Sequence, residues 1–132
     1  MNYLEADEIL IVHARVIEAT GGSHGVRDVG LLQSSVARPR TTIGGKNAYK
    51  TEFEKGASLL EALARYHIFV DGNKRTAFAS AARFLAINKY ELDAENKEVE
   101  LFMVRVVEKR LDVSTIALWL KKNSKRVKKS RR

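Results

Sequence analysis

Residues 51–88 read TEFEKGASLLEALARYHIFVDGNKRTAFASAARFLAIN, and this stretch predicts two amphipathic helices joined by a short polar loop. Thr51 and Glu54 have the T-x-x-E form of a capping box, in which each side chain satisfies a backbone donor at a helix start. Apolar residues at helical spacing extend the first helix to about Tyr66: Phe53, Ala57, Leu60, Leu63 and Ala64. A second stripe predicts a helix over about 73–88: Ala77, Ala81, Phe84 and Leu85.

The residues ahead of this stretch predict two further helices and a hairpin. Periodic apolar residues indicate a helix from about Glu5 to the Gly21–Gly22 pair, because glycine commonly ends a helix. Asp28 is the predicted N-cap of a shorter helix over 29–37. Residues 40–50 place a Gly-Gly pair between β-branched and aromatic residues, a pattern typical of a hairpin turn.

The residues after the central stretch predict two more helices and a basic tail. Apolar periodicity indicates a helix from about Lys97 to Arg110, and Ser114 is the predicted N-cap of a final short helix. These elements together predict an all-α fold, a compact helical bundle with one small β-hairpin. We expect a single domain over residues 1–120, followed by a basic tail over residues 121–132.

Composition places the chain among single-domain globular proteins. Its 132 residues are 45% apolar, and they contain no apolar run of about 18 residues, as a membrane helix would need. The absence of cysteine excludes disulfides, thiolate metal sites and cysteine nucleophiles. The first ten residues lack the basic and apolar regions of a secretory signal, so we expect a cytoplasmic protein with no membrane contact.

The net charge of +8 is concentrated in the tail. Residues 121–132 hold 8 of the 24 Lys and Arg residues and none of the 16 Asp and Glu residues, so the rest of the chain is neutral. Two interpretations of this tail stay open. It is either a solvated, frayed terminus or a contact site for nucleic acid or an acidic partner.

The loop between the central helices, HIFVDGNKRT over residues 67–76, combines groups that bind anions, metals and protons. A helix start presents unpaired backbone N–H groups and the positive end of the helix dipole, and Gly72 lets a ligand approach the backbone. Lys74 and Arg75 add positive charge in the first turn, where they oppose the helix dipole. This arrangement predicts a phosphate site.

Two more side chains of the loop suit catalysis. Asp71 supplies a hard oxygen ligand of the kind that Mg²⁺ prefers. His67 is the natural general base for removing a proton from a hydroxyl group. The other histidines lack metal spacing with His67, since His13 falls on the apolar face of the first helix and His24 lies in the glycine-rich segment that follows. We expect His13 in the core.

Each loop residue also has a simpler interpretation. Asp71 or Asn73 would then cap the helix, and His67 would be a hydrogen-bonded core residue. Lys74 and Arg75 would form a solvated charged face. Walker-type loops, protein-kinase glycine loops and the H-E-x-x-H motif are all absent from the sequence, so any phosphoryl transfer must come from this loop.

Residues 67–77, HIFVDGNKRTA, closely resemble the H-x-F-x-D-x-N-K-R-T-A signature of the Doc (death-on-curing) toxins, a branch of the Fic superfamily. The resemblance extends over the body of the chain and leaves out only the basic tail. It implies a compact helical Fic fold whose hairpin is a flap that aligns a target segment beside the loop. It also implies that the protein binds ATP and Mg²⁺ and modifies a protein hydroxyl.

The position of each residue in the motif implies its role. His67 would be the general base, Asp71 the Mg²⁺ ligand and Phe69 an apolar anchor of the loop. The other matched residues would contact the nucleotide phosphates: Gly72, Asn73, Lys74 and Arg75 in the loop, and Arg65 as an auxiliary contact. Of these, Lys74 and Arg75 would also take part in catalysis.

The loop departs from the H-P-F-x-[D/E]-G-N-G-R-x-x-R pattern of AMP-transferring Fic enzymes at Ile68, Lys74 and Phe78. A lysine in place of glycine would crowd the AMP-transfer pose, while its ammonium group could hold phosphate in another orientation. The resemblance therefore implies a kinase that transfers the γ-phosphate of ATP to a Thr or Ser hydroxyl of a translation factor, of the elongation factor Tu class. AMP transfer and a nucleic-acid-binding module are the alternatives.

Control of such an enzyme is expected to come from a partner. The sequence contains no [S/T]-x-x-x-E-[G/N] inhibitory motif, and the resemblance implies the toxin of a type II toxin–antitoxin system with a small, Phd-like antitoxin. We expect this antitoxin to fold against an apolar groove near the loop, with Arg40, Lys46 and the basic tail attracting its acidic residues. Nucleic acid would be reached through the antitoxin, or weakly through the tail.

Overall fold

The structure, a computed structural model, describes residues 1–128 of the chain. This part of the chain contains six α-helices: α1 (Ala6–Thr20), α2 (Val29–Ala37), α3 (Glu52–Arg65), α4 (Asn73–Ile87), α5 (Asn96–Glu108) and α6 (Val113–Lys122). Four short strands form two antiparallel pairs: β1 (Thr42–Ile43) with β2 (Lys46–Asn47), and β3 (Tyr90–Leu92) with β4 (Ser124–Arg126). The predicted mostly helical fold with a small hairpin is confirmed. Over residues 1–128, no helix is both long and apolar enough to span a membrane.

Helix α3 forms the centre of the core, and α4 and α6 pack against it. Ten of the 14 residues of α3 are buried, which leaves little of this helix in contact with solvent. Its start has the predicted capping box, because the Thr51 hydroxyl accepts from the Glu54 N–H at 3.1 Å and the Glu54 carboxylate accepts from the Thr51 N–H at 3.1 Å. The polar loop is therefore held between two well-packed helices, α3 and α4.

The predicted hairpin is confirmed, and its base is tied to the helices. Strands β1 and β2 pair around the Gly44–Gly45 turn, and both strands are exposed. Lys55, a buried residue of α3, donates from Nζ to the carbonyl oxygen of Pro39 at 3.0 Å. Arg38 donates to the hydroxyl of Tyr49 at 2.9 Å, across the two ends of the hairpin. The hairpin thus projects from a fixed base.

The N-cap of α6 differs from the sequence prediction. Asp112 rather than Ser114 caps this helix, since the Asp112 carboxylate accepts from the Thr115 N–H at 2.9 Å. The Ser114 hydroxyl instead donates to the same carboxylate at 3.2 Å. Hydrogen bonding to Thr115 lowers the pKa of Asp112 below its ordinary value. Both residue types are good caps, so the sequence pattern did not distinguish them.

The first half of the predicted basic tail is folded, and its description as a frayed terminus is wrong for residues 121–126. Lys121 and Lys122 end α6, and β4 then pairs with β3 to form a second small sheet that the sequence did not predict. Arg126 lies over the Tyr90 ring at 5.6 Å and donates to its hydroxyl at 3.2 Å. A charged strand of three residues carries too little periodicity to be recognised. Residues 129–132 of the tail lie outside the described residues.

Candidate functional site

The loop between α3 and α4 combines buried apolar residues with exposed polar ones. Ile68 and Phe69 are completely buried and anchor the loop in the core. His67 and Asp71, on either side of this pair, are exposed. His67 also has a positive φ of 49°, a backbone conformation that side chains with a Cβ adopt only at a cost. The loop therefore presents a base and an acid to solvent from a rigid support, and the core interpretation of His67 is wrong.

Asn73 stabilises the loop through its side chain. Its Oδ1 accepts from the Phe69 N–H at 3.0 Å, and its Nδ2 donates to the Phe69 carbonyl oxygen at 2.9 Å. Gly72, with φ 78°, is the N-cap of α4, and no side chain within residues 1–128 caps this helix. Neither Asp71 nor Asn73 is therefore the helix cap that the simpler interpretation required. The first turn of α4 keeps backbone N–H groups that no side-chain cap satisfies, the arrangement that binds anions.

The segment between α1 and α2 pairs with the loop, a contact that the sequence did not indicate. The Arg27 N–H donates to the Ile68 carbonyl oxygen at 2.7 Å, and the Val70 N–H donates to the Gly25 carbonyl oxygen at 3.1 Å. Val26 and Phe69 form an isolated antiparallel bridge between these bonds. The only sequence signal was the cluster of glycines at 21–25, which reads equally well as an ordinary linker.

Asp71 is held from two sides. Its Oδ2 accepts from the Ser23 N–H at 2.8 Å, and its backbone carbonyl oxygen lies 2.9 Å from Nε2 of His13 on α1. Asp71 nevertheless remains exposed, so its carboxylate is oriented and still accessible to a cation. Gly22 permits this approach, since a Cβ at that position would lie 3.1 Å from the Cβ of Asp71.

Lys74 and Arg75 follow directly in the first turn of α4, and both are exposed. Two cations at the positive end of a helix are unfavourable by a few tenths of a kcal/mol each. Arg75 also lines a groove between α1 and α4 with a volume of about 350 Å³. The apolar part of this groove consists of small and β-branched side chains: Val12, Val16, Ala19 and Ala79. Arg15 lies in the same groove, so the positive charges of Arg15 and Arg75 border an apolar floor.

Arg65 makes a set of contacts that the sequence did not predict. Its guanidinium pairs with Glu61 at 2.5 Å and donates to the carbonyl oxygens of Val106 and Leu111 at 2.8 and 2.5 Å. Glu61 also pairs with Arg38 at 2.7 Å. These contacts link the end of α3 to the turn between α5 and α6 and to the base of the hairpin. They give Arg65 a structural role, and its predicted phosphate contact stays a prediction.

Comparisons with known proteins agree with the motif. A sequence model described as Fic/DOC family matches residues 3–85, which include α1, the loop and most of α4. The Toxin Doc of Mycolicibacterium smegmatis is 43% identical over 117 residues, covering 87% of this chain and 88% of that protein. The Protein kinase doc of Escherichia phage P1 is 31% identical over 117 residues, covering 89% of this chain and 91% of that protein.

Proposed function

We propose that this chain, which belongs to the Fic/DOC family and to its Doc toxins, transfers the γ-phosphate of ATP to a Thr or Ser hydroxyl of a translation factor of the elongation factor Tu class. One observation carries the proposal: exposed His67 and Asp71 flank a buried anchor directly beside the uncapped start of α4, which bears Lys74. Phosphoryl transfer depends on positioning and on neutralising charge, and both can be supplied by such a loop.

Each residue would have one task in the reaction. His67 would accept the proton of the target hydroxyl, so that the oxygen attacks the γ-phosphorus as the bond to the β-phosphate oxygen breaks. The first-turn N–H groups of α4, with Lys74 and Arg75, would hold the phosphates. Asp71 fits a Mg²⁺ ligand because it is exposed and its Oδ2 is already oriented by the Ser23 N–H. Bound Mg²⁺ would supply charge neutralisation of the phosphates.

Two features favour phosphate transfer over AMP transfer. Lys74 replaces the glycine of the AMP-transfer pattern and places an ammonium group at the start of α4. Phe78 replaces the final arginine of that pattern and packs edge-on against Trp119, with ring centroids 6.2 Å apart. The position that would carry a phosphate clamp is therefore part of the apolar packing. The phage P1 relative is also named a protein kinase.

The test uses purified protein, elongation factor Tu and ATP labelled at either the α- or the γ-phosphate. We expect γ-label in the target with the unmodified protein and none with His67→Ala or Asp71→Ala. Lys97→Ala, an exposed lysine on α5, is the control and should retain full transfer. Lys74→Gly should lose γ-phosphate transfer and give at most weak AMP transfer. Entry of α-label with the unmodified protein would instead establish an AMP-transferase.

A toxin of this family acts with an antitoxin, and the groove between α1 and α4 is the surface that fits one. Its floor is apolar, and Arg15 and Arg75 border it, so an amphipathic helix with acidic flanks would be complementary. A second depression of about 310 Å³ shares Val12 and Arg15, and it adds Arg83 of α4 together with Ile11 and the acidic Glu8 of α1. We propose that a small, Phd-like antitoxin folds into this groove.

Charge reversal tests the antitoxin site. Arg15→Glu should weaken binding of the co-expressed antitoxin, because acidic flanks would then meet a like charge. Arg105→Glu, an exposed arginine on α5, makes the same charge change away from the groove and should leave binding unaltered. Binding measured by calorimetry at two salt concentrations compares the variants. Equal affinities for both variants would place the antitoxin elsewhere.

A further inference from the structure

His13 on α1 contacts the loop in two ways that core packing alone does not require. Its side chain is almost completely buried, at 4% exposure. Its ring stacks on the ring of Phe69, with centroids 3.9 Å apart and planes inclined by 8°. Its Nε2 lies 2.9 Å from the backbone carbonyl oxygen of Asp71. The His13 side chain therefore contacts the loop at two points, the ring of Phe69 and the backbone of Asp71.

The partner of Nε2 determines which ring nitrogen carries the proton. A carbonyl oxygen only accepts hydrogen bonds, so Nε2 of His13 must donate to Asp71. A neutral His13 is therefore the tautomer with the proton on Nε2. This assignment is a spectroscopic consequence of the geometry, because the opposite tautomer has no proton on Nε2 to donate to the Asp71 carbonyl oxygen.

The hydrogen bond from His13 complements the one from Ser23. His13 holds the main chain of Asp71, and the Ser23 N–H holds its carboxylate at 2.8 Å. Immediately after Asp71, the backbone approaches α1 closely, because a Cβ on Gly72 would lie 3.1 Å from Cδ1 of Ile17. The direction of the carboxylate is thus set jointly by α1 and by the segment that follows it.

We propose that His13 is a positioning residue that orients Asp71 and so sets the affinity of the loop for Mg²⁺ and nucleotide. This part of the inference rests on the proposed function, whereas the hydrogen bond and its tautomer do not. Groups that orient a metal ligand commonly contribute roughly 10- to 100-fold to metal affinity or activity. The catalytic machinery therefore extends from the loop into the first helix of the chain.

The experiment compares two substitutions at this position. His13→Leu keeps much of the packing on Phe69 but removes the donor, while His13→Gln can still donate from its side-chain amide. The control is Ile116→Val, which removes a buried methyl group on α6, a helix that packs against α3. Thermal unfolding of all variants establishes how much of any effect comes from lost stability.

We expect His13→Leu to raise the Mg²⁺ concentration needed for half-maximal ATP binding and phosphate transfer by roughly tenfold or more. His13→Gln should recover most of this loss, and Ile116→Val should show none of it. ATP binding is followed by calorimetry without target protein. Unchanged Mg²⁺ dependence in His13→Leu, or no rescue by glutamine, would leave His13 as a packing residue and overturn the proposal.

A second readout does not depend on catalysis. Nitrogen NMR of the protein without ligand should show the Nε2-protonated tautomer of His13. The amide signal of Gly72, which shares a peptide group with the Asp71 carbonyl, should shift in His13→Leu and stay in place in Ile116→Val. The opposite tautomer overturns the inference even if the enzyme transfers phosphate. A different outcome refutes only the kinase proposal. In that case the unmodified protein transfers no phosphate, while the NMR signals and the effect of His13→Leu on the Mg²⁺ dependence of ATP binding are as expected.

Discussion

The side-chain amide of Asn73 makes two hydrogen bonds with the backbone of Phe69, accepting from its N–H at 3.0 Å and donating to its carbonyl oxygen at 2.9 Å. A residue matched by motif to phosphate binding is thus the residue that closes the loop. Phe69 is completely buried, so its backbone groups depend on protein partners rather than on bulk water. The phosphate contact proposed for Asn73 would therefore depend on the same side chain that determines the shape of the loop.

Replacing Asn73 by Asp should damage the loop selectively. The carboxylate retains an acceptor but loses the donor to the Phe69 carbonyl oxygen, which costs about 1–3 kcal/mol of unfolding free energy. Asn88→Asp is the control, because Asn88 donates to the carbonyl oxygens of Phe84 and Asn2, each at 2.9 Å, at the far end of α4. Both variants should lose stability in chemical denaturation. Only Asn73→Asp should also lose phosphate transfer, and equal activities would contradict the prediction.

The positive φ of His67 predicts an unusual order of stabilities. At φ 49° a glycine is unstrained while alanine is not, so His67→Gly should be about 1 kcal/mol more stable than His67→Ala. Tyr66 has φ −92°, and there Tyr66→Gly should be less stable than Tyr66→Ala. Denaturation midpoints of the four variants provide the comparison. If the glycine variant were less stable than the alanine variant at position 67, as at position 66, the backbone at His67 would carry no strain.

Gly21 and Gly22 separate backbone strain from contact with the site. Both have positive φ, 85° and 110°, so alanine at either position should cost about 1–3 kcal/mol of stability. Only at Gly22 would the new Cβ meet Asp71, at 3.1 Å, whereas a Cβ at Gly21 would have no atom of the described residues within 4 Å apart from its chain neighbours. Steady-state kinetics should therefore show roughly tenfold weaker phosphate transfer for Gly22→Ala. Gly21→Ala should lose stability with near-normal activity, and a comparable kinetic defect in both would argue against contact with Asp71.

The pair formed by Arg65 and Glu61 predicts strong coupling. The two side chains are each only 15% exposed. Removing one partner leaves a largely buried charge unpaired and should lower the free energy of unfolding by about 3 kcal/mol. Arg65→Ala, Glu61→Ala and the double variant form a cycle measured by chemical denaturation. We expect the double variant to be less destabilised than the summed single variants by about 1–3 kcal/mol. Additive effects would mean that Arg65 is held by the α5–α6 carbonyl oxygens alone.

The capping carboxylate of Glu54 predicts a loss of stability in acid. Hydrogen bonds from the N–H groups of Lys50 and Thr51 lower the pKa of Glu54 below its ordinary value of 4.5. A lowered carboxyl pKa stabilises the fold above the unfolded-state pKa, and this contribution disappears as pH falls through the folded-state pKa. Capping interactions contribute about 0.5–2 kcal/mol.

Melting temperatures of Glu54→Gln and of the unmodified protein test this contribution. The two melting temperatures should differ most near neutral pH and should become equal as the pH falls below 4.5. Glu52→Gln removes a charge from the same first turn of α3 and controls for the helix dipole. A difference between Glu54→Gln and the unmodified protein that does not change with pH would contradict the assignment.

Local pattern was sufficient for most of the secondary structure. Three kinds of feature depend on residues only a few positions apart: the α3 capping box, the glycine turn of the hairpin and the apolar stripes of α1, α3 and α4. Such features can therefore be predicted from the sequence. The loop motif likewise lies in eleven consecutive residues, which is why its resemblance to the Doc toxins identified the family. The sheet between β3 and β4 was missed because its partners are 32 to 36 residues apart and strands of three residues show no clear periodicity.

The sequence alone thus determined the helices, the hairpin and the position of the candidate active loop. Only the tertiary structure decided how that loop is held. His13 comes 58 residues before Asp71, Ser23 48 residues before it, and Arg65 reaches carbonyl oxygens 41 and 46 residues later. Each of these bonds joins a side chain or N–H group to a partner with no fixed spacing in the chain. Their geometry exists only after the core of α3, α4 and α1 has packed, because packing is what brings those groups within hydrogen-bonding distance.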